Sequence, residues 1–401
     1  MAISNGSNAV EVGDIFREFG AAYRATHNPH PLALKVMSAL ARCRTAALGG
    51  HVEVCEACGY VQNAYNSCRN RHCPKCQGLV REKWLFARQQ ELLSVTYFHI
   101  VFTIPDQLNR LALVNQRIIY NILFKAGSET LIELGRDPKH IGAEIGLLAL
   151  LHTWGQNLLD HPHLHCIVPG GGLSKDGNKW VFPRKMTAKK DFFIHVNLIS
   201  DLFKKKFLYY LKQAYQNGEL KFVGEIEALG LPKAFQSLLN QLYAVKWVTY
   251  CKRPFGGPRK VLEYLGRYVH RVAISNYRIQ KLEDGKVTFK WRDYRDNNQK
   301  KLMTLDAFEF IRRFLLHVLP KGYCKIRYYG LLSNRNKSLK LKRCKELLCT
   351  CQHEEPDYFE CESWQDLFLA LTGIDLRTCP SCGQGRMVFL ETIYPEIKPP
   401  P

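Results

Sequence analysis

Two Cys-x-x-Cys pairs, Cys55/Cys58 and Cys73/Cys76, stand fourteen residues apart in "CEACGYVQNAYNSCRNRHCPKC". A pair spaced this way wraps a tight turn around one ion, and two such knuckles supply the four thiolates of a closed tetrahedral zinc site. Gly59 and Pro74 suit the two turns. The chain must therefore fold back on itself here whatever the rest of it does. The N-terminus "MAISNGSNAVEVGDIF" lacks a basic-then-apolar leader, and no apolar run approaches the roughly 20 residues of a membrane span. A cytoplasmic location is the expectation, and in a reducing compartment fifteen cysteines read as metal ligands rather than disulfides. Cys55, Cys58, Cys73 and Cys76 are expected to hold one structural Zn²⁺, with Cys43, His51, Cys68 and His72 left nearby as candidates for a second ion.

A third knuckle, Cys379-Pro-Ser-Cys382, lies near the other end of the chain. It is half of a zinc site, which Cys349 with Cys351 could complete, His353 and Cys361 being alternatives.

The charge balance narrows the partners. Lys plus Arg outnumber Asp plus Glu by 57 to 36, a formal charge of +21, and the basic residues recur along the chain rather than beside one amphipathic anchor. That distribution favours nucleic acid over a membrane surface. Arg69, Arg71 and Lys75 surround the second knuckle and are candidate DNA contacts.

Further along, "DHPHLHCIVPGGGLS" places His163 and His165 two apart, so that on a strand both imidazoles project from one face. That is half of a divalent metal site. The elements around it alternate. Residues 10 to 43 read as helical, "REKWLFARQQELLS" as a helix feeding the strand "VTYFHIVFTIP", and "QLNRLALVNQRIIYNILFKAGSETLIELG" as helical. "IGLLALLHTW" is a buried strand with the histidine segment as its neighbour, and "VNLISDLFKKKFLYYLKQAYQNG" is again helical. The class is α+β or α/β. Residues 1–94 form a helical and zinc-binding unit, 95–290 the central domain, and 291–401 a C-terminal region with the third knuckle.

The second piece of chemistry lies in "KRPFGGPRKVLEYLGRYVHRVAISNYRI". Tyr264 and Tyr268, four apart, share one face of a helix. Lys252, Arg253, Arg259, Lys260 and Arg267 surround them and would attract phosphate. A tyrosine hydroxyl attacks a phosphodiester well when a divalent metal polarises the phosphate.

In "CRTAALGGH", "CRNRHCPKCQ", "HTWGQNLLDHPHLHCIVPGGG", "YLGRYVHRVAISNYRI" and "RYYGLLSNRNK", in that order over nearly the whole length, the chain resembles the HUH-type rolling-circle transposases of the two-tyrosine, insertion-sequence-ninety-one kind. The resemblance implies an α+β fold with a HUH-endonuclease-like centre, an antiparallel sheet flanked by helices. It implies that His163 and His165 hold Mg²⁺ or Mn²⁺ and that Tyr264 and Tyr268 are nucleophiles, leaving a 5′-phosphotyrosine and a free 3′-OH on DNA that is single-stranded or melted at the ends of an element. His152 is the candidate third ligand, with His161 and Gln156 as rivals. A replication initiator or relaxase with the same chemistry, and a noncatalytic zinc-dependent DNA-binding protein, are the alternatives. The joint presence of the histidine pair and the tyrosine pair favours the enzyme.

Overall fold

The computed structural model describes residues 10–183, 194–255, 260–261, 264, 273–293, 296–349 and 361–396. Two helices open the chain, α1 (Val12–His27) and α2 (Pro31–Arg42). Glu11 and Asp14 close a reciprocal capping box on α1, and Pro31 opens α2 where its missing N–H is no loss. The hairpin β1 (Gly50–Cys55) and β2 (Val61–Tyr65) follows, then α3 (Pro74–Gln89) and β3 (Tyr97–Thr103). The helical stretch expected after β3 is broken into α4 (Asn109–Val114) and α5 (Gln116–Arg136). The break is at Asn115, whose amide accepts from the N–H and donates to the C=O of Lys221, a backbone-like pairing that competes with helix continuation.

Strands β4 (Gly146–Trp154) and β5 (Asp160–Pro169) form the antiparallel pair expected of the histidine region. The two-residue strands β6 (Gly172–Leu173) and β7 (Trp180–Val181), helices α6 (Val196–Gln216) and α7 (Pro232–Ala244), and strand β8 (Thr249–Phe255) come next. A three-stranded meander, β9 (Ile279–Glu283), β10 (Lys286–Asp293) and β11 (Gln299–Asp306), leads into α8 (Ala307–Leu316). Strand β12 (Ile326–Gly330), helices α9 (Lys337–Cys349) and α10 (Trp364–Thr372), and strand β13 (Met387–Ile393) complete the described order.

The central sheet has five strands in the order β12-β4-β5-β3-β8, antiparallel at every pairing. Alternation divides its residues cleanly. Phe98, Ile100, Phe102, Leu147, Ala149, Leu151, Leu164, Cys166 and Val168 face the largest core, packed with side chains from α4 to α7. Each fully buried Phe or Leu there contributes about 1.5–3 kcal/mol of transfer free energy. The opposite face carries Tyr97, Leu148, Leu150 and Ile167, covered by side chains of α3 and α9 together with Val261 and Tyr264. The histidines occupy the rest of that second face.

The fold is α+β, as the sequence indicated, but packing runs across the boundaries expected at 94 and 290. Strand β12 is an edge of the central sheet. Side chains of α1 and α2 share one core with β10 and α8, including an edge-on contact of Phe16 with Phe314 at 5.4 Å. An amphipathic pair of helices cannot bury its apolar face alone, and the meander supplies the other half.

Candidate metal centres and catalytic face

Cys55, Cys58, Cys73 and Cys76 do not converge on one ion. The structure divides them between two clusters, Cys43/Cys68/Cys73/Cys76 and Cys55/Cys58/Cys379/Cys382, within each of which the ligand atoms lie within 4.8 Å of one another. The reason is topological. Cys73 and Cys76 sit at the start of α3, facing Cys43 at the end of α2, with Sγ separations of 3.5 Å for Cys43–Cys76 and Cys43–Cys73 and 3.6 Å for Cys68–Cys76. Cys55 ends β1, whose other edge pairs with β13, and this brings the C-terminal knuckle alongside. Cys55 lies 3.7 Å from Cys382, and Cys58 lies 3.8 Å from Cys379. Tetrahedral zinc with Zn–S bonds near 2.3 Å sets its sulfurs about 3.8 Å apart, so both sets fit the ion. A side chain at Gly385 would strike Cys55 Sγ at 2.4 Å, so this close approach requires glycine.

The rival donors are engaged elsewhere. His51 Nε2 lies 3.0 Å from Glu53. His72 accepts from the N–H of Leu319 at Nε2 while Nδ1 donates to Asn70, and burial pulls its pKa down to about 3. Cys361 is not among the clustered cysteines of the described residues, and Cys351 and His353 lie outside those residues.

The third cluster is made of imidazoles. His152 and His163 are directly opposite each other on β4 and β5, and His165 is opposite Leu150, so all three share the face away from the main core. Their ligand atoms converge within 4.8 Å, with His152 and His165 buried and His163 half-buried at the open side. Trp154 stacks on His152 at 4.7 Å. His163 Nδ1 donates to the carbonyl of His161 at 2.7 Å, which leaves its Nε2 with the lone pair a metal needs. His161 lies outside the cluster, and Gln156 offers its backbone carbonyl to Arg278. Three imidazoles fill only half of an octahedral shell, so a divalent ion held by them would keep positions open for further ligands.

Tyr264, in a helical residue above this face, sets its hydroxyl 2.8 Å from His99 Nε2 and 3.4 Å from His165 Nδ1. His99 Nε2 is in turn 2.8 Å from His165 Nδ1. His99 was not singled out from the sequence. Its signal was a lone imidazole in the otherwise apolar strand β3, two positions before Val101, which pairs with His165. On the reverse face of β5, Asp160 is buried among core residues, and desolvation pushes its pKa up to about 7 against the pull of Arg110.

Among the expected DNA contacts, Arg69 is exposed, whereas Arg71 donates to the Tyr323 carbonyl at 2.7 Å and Lys75 pairs with Glu11 at 2.5 Å. Lys252 and Arg253 lie in β8, and Lys260 is exposed and helical. Tyr268, Arg259 and Arg267 lie outside the described residues. The run Gly170–Gly172 serves packing: a Cβ on Gly171 would meet Trp180 Nε1 at 2.4 Å.

An antiparallel sheet that carries three converging imidazoles beside a tyrosine hydroxyl, joined to thiol clusters suited to zinc, defines a protein built to hold metal ions. The family description "Putative transposase" matches residues 146–339, and "Transposase zinc-binding domain" of the IS91 type matches residues 15–104. The chain is 49% identical over 392 residues to a protein of Sinorhizobium fredii named "Putative transposase y4qJ", covering 98% of this chain and 97% of that one. It is 26% identical over 371 residues to the "Transposase for insertion sequence element IS801" of Pseudomonas savastanoi pv. phaseolicola, covering 90% and 84%. The chain belongs to the IS91-like transposases with an N-terminal zinc-binding domain, enzymes that act on DNA. Among the described residues no helix is long and apolar enough to cross a membrane.

Proposed function

We propose that this transposase nicks and joins single-stranded DNA through a 5′-phosphotyrosine, with Tyr264 as a nucleophile and Tyr268 as its partner. The observation that carries the reading is the Tyr264 hydroxyl standing over the His152/His163/His165 face. Those three imidazoles would hold Mg²⁺ or Mn²⁺, and when bound such an ion polarises a non-bridging oxygen of the scissile phosphate. Tyr264 Oη attacks phosphorus and the P–O3′ bond breaks, while the phenolic proton passes to water and the departing 3′ oxygen takes a proton from water. The products are a 5′-phosphotyrosine and a free 3′-OH, whose later attack reverses the step on a new strand. His99 Nε2 meets both Tyr264 and His165, so it aims the hydroxyl and steadies a metal ligand at once.

The cysteines complete the reading. Cys43, Cys68, Cys73 and Cys76 hold one structural zinc, and Cys55, Cys58, Cys379 and Cys382 hold another. Lys260, Lys252, Arg253, Arg259 and Arg267 attract the strand toward the tyrosines, and Arg69 adds a contact at the zinc module. The test is to incubate the protein with labelled single-stranded oligonucleotides and Mn²⁺ and look for a covalent protein–DNA adduct. The adduct is expected in the wild type. If it persists in the Tyr264→Phe/Tyr268→Phe double variant, the nucleophile lies elsewhere and the mechanism is wrong.

A further inference from the structure

The meander β9–β10–β11 has an inward and an outward face. Val287, Phe289, Trp291, Met303 and Leu305 turn inward onto the core shared with α1, α2 and α8. Outward, Arg292 stands opposite Lys300, Lys290 opposite Leu302, Thr288 opposite Thr304 and Lys286 opposite Asp306. The charges on this face are sorted along the strands. Glu283 and Asp306 gather at one end, where Glu283 pairs with Lys281 at 2.8 Å. At the other end Lys290, Arg292 and Lys300 are exposed, and among the described residues none of them is in an ion pair. The nearby carboxylates Asp293 and Asp296 are both held by Lys301, at 2.9 and 2.7 Å.

We infer that this face binds double-stranded DNA, with Lys290, Arg292 and Lys300 on backbone phosphates and Leu302 and Thr304 toward the groove. All five of these residues lie on the β10–β11 pair, and a two-stranded ribbon with strands about 4.8 Å apart is what a major groove roughly 12 Å wide admits. A single strand fits less well, because unpaired bases are held by stacking on exposed aromatic rings, and the rings of Phe289 and Trp291 are turned into the core. The face is also tied to the catalytic hairpin. Arg278 bonds both the Lys290 carbonyl at 2.7 Å and the Gln156 carbonyl at 2.6 Å, and Arg313 bonds the Asn157 carbonyl at 3.0 Å. Gln156 and Asn157 form the turn between β4 and β5, so a duplex seated on the meander is held in register with the histidine face. The inference goes beyond the nicking reaction and does not depend on it, since duplex affinity is read without cleavage.

The experiment uses the full chain with Lys290→Ala, Arg292→Ala and Lys300→Ala combined, and a mixed-sequence duplex titrated by fluorescence anisotropy over a series of salt concentrations. Loss of three phosphate contacts should flatten the slope of log affinity against log salt by about 2.7 and weaken binding about tenfold or more at moderate salt. Zinc content, melting temperature and adduct formation on a single-stranded oligonucleotide should stay at wild-type values. A control with Lys290→Arg and Lys300→Arg keeps the charge and should keep the slope. A triple variant that binds duplex with the wild-type slope overturns the inference. So does one that loses single-strand and duplex affinity by the same factor, because the face would then serve the cleaved strand.

Discussion

The imidazole face and the thiol clusters are built by the same device, donors brought within 4.8 Å of each other, yet they differ in what they leave open. Each thiol cluster offers four ligands, enough to close a zinc shell and exclude substrate. The histidine cluster offers three, on adjacent strands of a rigid sheet, beside a tyrosine hydroxyl. A closed shell can only hold chain segments together, whereas an open one can hold a reactant. The thiol clusters differ between themselves as well. Cys43 to Cys76 is a local staple packed into the core of the N-terminal helices, while Cys55 to Cys382 ties the two ends of the chain through the β13-β1-β2 sheet.

The sharpest break of that comparison is His163→Ala. Adduct formation should fall on the order of 10³-fold, the scale of losing a main electrostatic stabiliser of the transition state. Single-strand affinity, which rests on Lys and Arg, should change little, and anisotropy without metal reads it directly. Wild-type cleavage in EDTA would remove the distinction between open and closed clusters. Tyr277→Phe, at an exposed ring, should cleave normally.

Cys73→Ser comes next. Metal analysis should show the loss of one zinc, and hydrogen exchange should show α1 and α2 opening, because peptide-scale zinc sites contribute on the order of 10 kcal/mol to the fold they close. DNA affinity should drop with the module. Unchanged zinc content would return Cys73 to the role of an ordinary buried thiol.

Cys382→Ser should also release one zinc, but with a narrower consequence. Exchange protection should be lost in β13 and the C-terminal knuckle while adduct formation stays near wild type, since the histidine face lies on another sheet. Equal damage from Cys73→Ser and Cys382→Ser would mean that the two staples are one cooperative unit.

The smallest effect concerns Asp160 beneath the histidines. Its folded pKa, about 7, lies above the usual 3.8, so the unfolded chain releases this proton first and the carboxyl's contribution to stability falls as pH rises from about 4 to 7, then levels. Asp160→Asn should therefore melt close to wild type near pH 4 and gain on it toward pH 7, by at most about 4 kcal/mol. A constant difference across that range would show that the carboxyl is not buried in its charged form.

Some of this was legible residue by residue. Period-2 spacing put His163 and His165 on one face, and the alternation in β4 and β5 follows from their apolar residues. The Cys-x-x-Cys spacings marked all three knuckles as candidate metal ligands, and each knuckle stands in a four-thiol cluster suited to zinc. Their partnership was not legible, because a knuckle specifies half a site and any other knuckle can complete it. The obvious partner was the nearer one, fourteen residues on, but the edge pairing of β13 with β1 chose a partner 327 residues from Cys55.

The sequence by itself determined the donor types, the strand and helix periods and the basic field, since these depend on side-chain chemistry and on neighbours a few positions apart. Tertiary structure alone decided which thiols stand together, that His152 rather than His161 joins the histidine pair, and that His99 stands between Tyr264 and His165. Each of those choices is made by strand pairing or helix packing between distant segments, where local spacing carries no information about who faces whom.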